Sequence, residues 1–144
     1  MIFKVICVGK LKDRMFENRV QEYCKRLSFD SKVSITEIKD STKEKEGQKL
    51  LELIEKEKGY VIALTEEGKT LTSRKFSDKL ASIHQKITFV IGGPFGLTEE
   101  VKKRSDMLLS LSKMTFTHEM ARMFLMEQVY RAVSIMKGRK YHND

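Results

Sequence analysis

The sequence has few of the residues that mark several large classes of protein. Among 144 residues it has two cysteines, one proline and no tryptophan. No apolar run approaches the roughly 18 residues that a membrane-spanning helix needs. Cys7 and Cys24 are isolated, which fits neither a disulfide framework nor the paired spacing of a zinc site. We therefore expect a cytoplasmic protein without membrane spans or a metal, in which both cysteines are small core residues.

Positive charge is present in excess. The chain has 28 Lys and Arg against 20 Asp and Glu, which gives a formal net charge of +8. Each cation that neutralises a phosphate releases a condensed counterion, so this excess favours a polyanionic partner. A merely soluble basic surface would have the same composition, and both interpretations stay open at this point.

Strand-like and helix-like periods alternate along the whole chain, with no linker, repeat or low-complexity segment. This predicts a single α/β domain over residues 1–144, with a mostly parallel sheet flanked by helices. The predicted strands are residues 2–8, 33–38, 60–65, 87–91 and 106–112. The predicted helices are residues 13–27, 42–58 with Gly59 as its end, one capped by Ser73, and 117–136.

The last predicted helix is apolar on more than one stripe. Met120, Phe124, Leu125, Val129 and Val133 do not fit on the single apolar face that a surface helix needs. The excess predicts that the helix packs on its own sheet and also on a second subunit, most simply in a symmetric dimer. The alternative is a central helix in a monomer, which a chain of this length can hardly surround.

The first candidate site is the stretch FVIGGPFGLTEE, residues 89–100. Gly92, Gly93 and Gly96 place bare backbone at the carboxyl end of a strand, where open α/β sheets bind ligands. A tight turn between strand and helix would need the same residues. A P-loop is excluded, because no Gly-Lys-Ser/Thr opens the helix.

The second candidate is the hydroxyl-rich stretch LSKMTFTH, residues 111–118, between the last strand and the last helix. Thr115 or Thr117 is a candidate helix cap, but one cap does not explain the whole stretch. If strands four and five are neighbours, this loop faces the glycine loop. Residues 65–68 would then complete the rim.

The third candidate is the tail, residues 137–144, in which three cations precede Tyr141 and His142. Aromatic rings beside cations suit stacking on bases and contact with phosphates, although disorder is common in such tails. Arg131, on the apolar last helix, is either a buried pair or a phosphate contact.

Four motifs in series resemble the ribosomal RNA large subunit methyltransferase H family, which belongs to the SPOUT class. They are FVIGGPxGL (89–97), LSLSKMTFxH (109–118), EQVYRA (127–132) and the terminal Tyr-His pair (141–142). The resemblance covers the whole chain in order. It implies a C-terminal trefoil knot, an exception to the rule that chains do not thread themselves, and a homodimer.

The resemblance also implies a cofactor, S-adenosylmethionine, held in the knot largely by backbone atoms of three loops. The matching positions here are Leu64, Gly93, Ser112, Lys113, Met114, Thr115, Phe116 and Thr117. The implied reaction is methylation of N3 of a pseudouridine in a stem-loop of 23S ribosomal RNA, on assembled ribosomes. Arg131, Tyr141 and His142 are the implied catalytic residues, which would dock or orient the base.

Two departures from the family pattern bear on these roles. Thr117 stands where the family usually has proline, and Asn143-Asp144 follow where a cation usually ends the tail. The chain is also somewhat short for the family. The competing hypothesis is a basic RNA-binding or ribosome-binding module that keeps the fold without catalysis.

Overall fold

The sheet has five parallel strands, and its most buried strand lies at its centre. In the computed structural model, which describes residues 1–144, the order across the sheet is β2-β1-β4-β3-β5. The strands are β1 (Ile2–Val8), β2 (Lys32–Ile38), β3 (Tyr60–Thr70), β4 (Ile87–Ile91) and β5 (Met107–Ser110). Every residue of β4 is buried. The continuous apolar run thus marks a parallel strand that is covered on both faces, as predicted.

Helices cover both faces of the sheet and divide the core in two. They are α1 (Arg14–Leu27), α2 (Lys43–Glu57), α3 (Ser73–Ala81), α4 (Glu99–Arg104) and α5 (His118–Met136). On one face α5 packs between α1 and α3, over a core that includes Phe3 and Phe89. On the other face α2 and α4 cover a smaller core around Ile6 and Val61. The predicted α/β class with a mostly parallel sheet is confirmed.

A polar side chain caps the first turn of every helix. The caps are Asp13, Thr42, Thr72, Thr98 and Thr117. The oxygen of each accepts a backbone N–H that has no partner inside the helix. Thr117, one of the two candidates, is the cap of α5. The prediction of Ser73 was wrong by one residue, because Thr72 Oγ1 accepts from Lys75 N–H at 3.1 Å.

The end of α2 differs from the prediction. Lys58, not Gly59, adopts the left-handed conformation, with φ of 52°. Gly59 is needed for a different reason: a Cβ there would lie 2.6 Å from the carbonyl oxygen of Lys86. That carbonyl accepts the N–H of Tyr60 at 2.8 Å, so the close approach lets β3 begin beside β4.

Strand β3 lies between β4 and β5, so strands four and five are not neighbours, and the condition on which the two loops were expected to face each other is not met. β3 also continues past its predicted end. Leu64 and Lys69 both pair with Leu109, and residues 65–68 therefore leave the ladder as a bulge. A Cβ on Gly68 would lie 2.6 Å from the backbone of Leu109, which is why a glycine fits where the bulge returns over β5.

The apolar residues of α5 separate into two groups. Leu125, Met126, Val129, Ala132 and Val133 are buried in the core of the single chain. Met120 and Phe124 remain 37% and 38% exposed. The helix therefore has more apolar surface than the rest of the chain covers. It is also not apolar enough over its length to cross a membrane, and neither is any other helix.

The two cysteines are free. Cys7 is buried in β1, and its Sγ lies 3.6 Å from the carbonyl oxygen of Thr36. Burial raises the pKa of Cys7 to about 11, so the thiol stays protonated at neutral pH. Cys24 is partly buried against the same core. Both positions agree with the prediction of small packing residues.

Candidate active site

Three loops line one open depression of about 1010 Å³ at the carboxyl ends of β3, β4 and β5. They are the bulge after Leu64, the glycine loop after β4 and the loop from β5 to α5. All the predicted cofactor-binding residues except Lys113 line it: Leu64, Gly93, Ser112, Met114, Thr115, Phe116 and Thr117. Lys113 is exposed on the same loop. The predicted meeting of the three loops therefore occurs, although β3 rather than β5 is the neighbour of β4.

The glycines of this loop let the chain pack closely on itself. A Cβ on Gly93 would lie 3.0 Å from Val8 Cγ1, beneath the loop, and a Cβ on Gly92 would lie 2.9 Å from the backbone of Gly96. Gly96 has φ of 78°, which makes the turn, and its N–H donates to Gly93 at 3.0 Å. Since Gly92 and Gly93 have no side chains, the loop can pack closely on Val8 and on itself, and main-chain atoms at these two residues line the depression.

Side-chain hydroxyls hold the loop between β5 and α5. Ser110 Oγ donates to the carbonyl of Ser112 at 2.8 Å, and Ser112 Oγ accepts the N–H of Met114 at 3.0 Å. Thr117 Oγ1 accepts the N–H of Met120 at 3.2 Å, which anchors the end of the loop. The density of hydroxyls in this stretch therefore fixes the path of the backbone.

The loop from β1 to α1 is attached to α5 by two residues that the sequence analysis did not single out. Glu119 accepts the N–H groups of Lys12 at 2.6 Å and Asp13 at 3.0 Å, and these bonds lower the pKa of its carboxyl group. Arg122, only 2% exposed, pairs with Glu37 and donates to the carbonyl of Gly9 at 2.9 Å. One rim of the depression is thus tied to the first turn of α5.

Glu46 lies directly beneath the glycine loop. It is 3% exposed, and its Oε2 accepts the N–H of Ser41 at 2.8 Å. Its Oε1 has no partner and lies 3.4 Å from where a Cβ on Gly93 would stand. The sequence places this residue in a strongly polar helix, so its burial gave no signal there.

The predicted catalytic residues lie together on the face formed by α1, α5 and the tail. Arg131 pairs with Glu127 on the preceding turn, with Nε and Oε1 3.0 Å apart, and its guanidinium stacks 4.8 Å from the centre of the Tyr141 ring. The hydroxyl of Tyr141 donates to Glu127 at 3.1 Å and lies 3.4 Å from that of Tyr23. The tail is therefore packed against the helices.

The contacts of His142 define where its proton lies. Nδ1 is 3.1 Å from Nη1 of Arg131, and Nε2 is 3.1 Å from Oδ1 of Asp144. Because a guanidinium only donates, Nδ1 must accept and the ring proton sits on Nε2. Asp144 also accepts two bonds from Arg74, at 2.6 and 2.8 Å, which lower the pKa of its carboxyl group. Asp144, which departs from the family pattern, thus supplies a hydrogen-bond partner for His142.

Burial holds the Tyr141 phenol in its neutral form. Burial is the largest cause that raises its pKa well above the usual value of 10, followed by the hydrogen bond with Tyr23 and the charge of Glu127. The hydrogen bond to Glu127 likewise raises the pKa of Arg131, which stays charged. Neither group is suited to accept a proton at neutral pH: Arg131 can only donate hydrogen bonds, whereas the neutral Tyr141 hydroxyl can donate or accept one.

These two groups of residues do not meet within one protomer. Arg131, Tyr141 and His142 do not line the depression. His118, which does, precedes Arg131 by thirteen residues on α5, and a helix of that length is about 20 Å long. The residues of each group lie together, but the fold separates the two groups along one helix.

The fold and these loops define a class of protein. The protein-family model described as "Predicted SPOUT methyltransferase" matches residues 1–142 of this sequence. Two solved structures agree in fold: a methylase-family protein of Haemophilus influenzae, with TM-score 0.61 and 12% identity over 99% of this chain and 70% of its own, and a candidate RNA methyltransferase of Bacillus anthracis, with TM-score 0.60 and 15% identity over 99% and 100%.

Curated relatives narrow the class. Proteins named ribosomal RNA large subunit methyltransferase H match from Acholeplasma laidlawii, at 44% identity over 99% of both chains, and from Prochlorococcus marinus, at 43% over 99% of this chain and 96% of the relative. One from Lactobacillus johnsonii is 40% identical over 99% of both. The chain belongs to the SPOUT methyltransferases and, within them, to the ribosomal RNA large subunit methyltransferase H family. The trefoil knot stays a prediction from this membership.

Proposed function

We propose that the protein transfers a methyl group from S-adenosylmethionine to N3 of a pseudouridine in a 23S ribosomal RNA stem-loop on assembled ribosomes. The main support is that relatives more than 40% identical over nearly the whole chain carry the name of a ribosomal RNA methyltransferase. The depression at the carboxyl ends of the strands and the net charge of +8 agree with a cofactor and a polyanionic substrate. The cytoplasmic location stays a prediction.

The residues of the depression fit the proposed cofactor. The low path of the loop at Gly93 leaves main-chain atoms, rather than side chains, on the wall of the depression. Leu64, Gly93 and the residues from Ser112 to Thr117 would hold the cofactor, with the exposed Lys113 at the edge. When bound, it would supply an electrophilic methyl group on a sulfonium centre.

The protein's own contribution is positioning. Holding the accepting nitrogen in line with the methyl group lowers much of the barrier to such a displacement. This alignment needs no metal. Arg131, Tyr141 and His142 would orient the base by stacking and hydrogen bonding. Since Tyr141 and Arg131 remain protonated, the proton leaves N3 to another acceptor.

We also propose a homodimer in which the tail of one subunit completes the depression of the other. Exposed apolar side chains surround the depression: Phe95, Met114, Phe116, Met120 and Phe124. Phe116 and Phe124 pack edge to face at 5.0 Å, so they present one continuous surface. A second copy would cover this surface and could bring its Tyr141 and His142 to the cofactor, which the tail of the same chain does not contact.

The dimer is tested by sedimentation of Phe124→Glu. The control is Lys103→Glu, which changes an exposed residue of α4 that does not line the depression. We expect Phe124→Glu to sediment as an inactive monomer and Lys103→Glu to remain an active dimer. A Phe124→Glu monomer with full activity would contradict the shared site.

The reaction is tested with labelled S-adenosylmethionine and three substrates from cells that lack this protein: whole ribosomes, separated subunits and naked ribosomal RNA. We expect label at one pseudouridine, mapped by digestion and mass spectrometry, and most in whole ribosomes. Cofactor binding without label in any substrate would contradict the proposed substrate. Absence of cofactor binding as well would favour the non-catalytic binding module.

A further inference from the structure

One exposed aromatic ring lies far from the apolar surface around the depression. Phe29, in the turn between α1 and β2, is 84% exposed, more than any other large apolar side chain of the protein. The turn itself is well held, since Ser31 N–H donates to Leu27 at 2.9 Å and Ser28 Oγ donates to Lys25 at 2.6 Å. An ordered backbone thus holds the ring out in solvent.

The surroundings of Phe29 are cationic. Lys25 lies one helical turn before it, and Lys32 follows three residues later; both are exposed. The tail reaches the same turn, because Arg139 forms an ion pair with Asp30. Lys137 and Lys140, on either side of Arg139, are also exposed. None of these four lysines has a carboxylate partner, whereas the nearby Asp30 and Glu22 are each paired with an arginine.

This surface continues into the contacts of Arg131, Tyr141 and His142 around Glu127, which we call the tail cluster. Arg26, from the last turn of α1, stacks over the rings of Tyr23 and Tyr130 at 5.6 and 5.5 Å. Tyr130 packs edge to face on Tyr141 at 4.7 Å between ring centres. Residues of α1 thus lie between Tyr141 and Phe29, and a strand that contacts both would have to cross this helix.

We propose that Phe29 and its four lysines form a second RNA contact, in which an unpaired base stacks on the ring and the lysines contact flanking phosphates. We call this surface the Phe29 patch: Phe29, Lys25, Lys32, Lys137 and Lys140. A ring held in solvent among unpaired cations has the chemistry of single-strand recognition, where the backbone is bound by charge and the base by its flat face. The proposal rests on the proposed function in taking RNA as the substrate.

The test is the anisotropy of a labelled single-stranded RNA of about 12 nucleotides, a length within the usual range of such sites, titrated with the full-length protein without cofactor. Phe29→Ala should weaken binding roughly tenfold, since stacking of one base contributes about 1–3 kcal/mol. Phe29→Tyr should bind like the original protein, whereas Phe29→Leu, which is apolar but has no ring, should lose as much as Phe29→Ala. Met15→Ala, which removes another exposed apolar side chain at the other end of α1, should change nothing.

Inorganic polyphosphate separates charge from stacking. Phe29→Ala should leave its affinity unchanged. Lys32→Gln combined with Lys140→Gln should weaken polyphosphate and RNA alike and reduce the salt slope of RNA binding by about 1.4, while Lys103→Gln should not. Unchanged RNA affinity of Phe29→Ala, or full affinity of Phe29→Leu, would overturn the proposal.

The outcomes are independent of the methylation assay. If the Phe29 patch binds RNA but no methyl group is transferred, only the proposed function is wrong. If methylation proceeds and Phe29→Ala leaves both the RNA affinity and the KM for ribosomes unchanged, only the patch is wrong. Circular dichroism and thermal melting of each variant show whether the fold is intact, which is expected because all the changed side chains are exposed.

Discussion

The depression and the tail cluster are built from different parts of the chain. The depression is lined by loops whose path depends on absent side chains at Gly92, Gly93 and Gly68 and on short hydroxyls. The tail cluster is made of long side chains that contact one another around Glu127. A backbone site fails when a side chain is added, whereas a side-chain site fails when one is removed. The two regions should therefore respond to opposite kinds of mutation.

The largest effect is expected from adding a side chain to the glycine loop. Gly93→Val would place atoms within about 3 Å of Val8 and push the loop into the depression, because the core beneath it is closely packed. We expect the cofactor affinity measured by calorimetry to fall at least 100-fold, while RNA affinity stays within about twofold. Normal cofactor binding by Gly93→Val would show that the glycine loop does not form the site.

The next effect concerns the attachment of α5 to the loop after β1. Arg122→Met should remove the partner of Glu37 and of the Gly9 carbonyl, and we expect a loss of about 3 kcal/mol in the free energy of unfolding by urea. Arg104→Met is the matched control, because its pair with Glu55 lies at the surface and should contribute less than about 1 kcal/mol. Equal losses in the two variants would contradict the structural role of the buried pair.

The tail cluster should respond to the loss of a side-chain charge, and Glu127 is the residue that tests this. Glu127→Gln weakens the acceptor shared by Arg131 and Tyr141, and we expect kcat to fall roughly tenfold with unchanged cofactor affinity. The negative charge of Glu127 raises the pKa of Tyr141, so its loss should lower that pKa, measured by ultraviolet titration. Burial, the larger cause, remains, and the pKa should stay above the usual value of 10. Glu22→Gln, on α1, should leave the titration of Tyr141 unchanged, and a similar change there would show that the effect is not specific to Glu127.

The smallest effect is a dependence of stability on pH at the rim. Bonds from Asp13 and Lys12 lower the folded pKa of Glu119 below its ordinary 4.5, so its contribution is present at neutral pH and is lost as pH falls through the folded pKa. Glu119→Gln should destabilise the protein by about 1 kcal/mol at pH 7 and progressively less below pH 4.5. The exposed Glu17→Gln should show no such trend. A difference for Glu119→Gln that persists at pH 2 would contradict this account.

The sequence predicts the elements well because their signals are local. The apolar run of β4 and the cap of α5 each depend on a few neighbouring residues. The strand is confirmed, and of the two candidate caps, Thr115 and Thr117, the structure has Thr117. The order of the strands depends on which strand lies beside which, and β3 enters between β4 and β5 without a local signal. The role of Gly59 was missed for the same reason, since it is defined by Lys86, a distant residue.

The candidate site shows the same limit. Its loops were predicted from glycines and hydroxyls, which lie where the chain is interrupted. Glu46, Glu119 and Arg122 were missed because a charged residue in a helix usually faces solvent, and only the packing of other elements buries or pairs it. The pair of Glu127 and Arg131 could have been found, because residues four apart meet on a helix surface.

Helix α5 is continuous from His118 to Met136, and this limits where a residue could be inserted into the chain. The helix starts at the loop around the depression and ends at the tail, and a helix does not stretch to absorb an added residue. One residue inserted between Leu125 and Gln128 would rotate everything beyond it by about 100° and advance it by about 1.5 Å. Arg131 and Tyr141, both beyond the insertion, would then turn together away from Tyr23 on α1. The number of residues in α5 therefore sets how the tail is oriented relative to the depression. We expect insertions to be tolerated in loops outside this helix rather than within it.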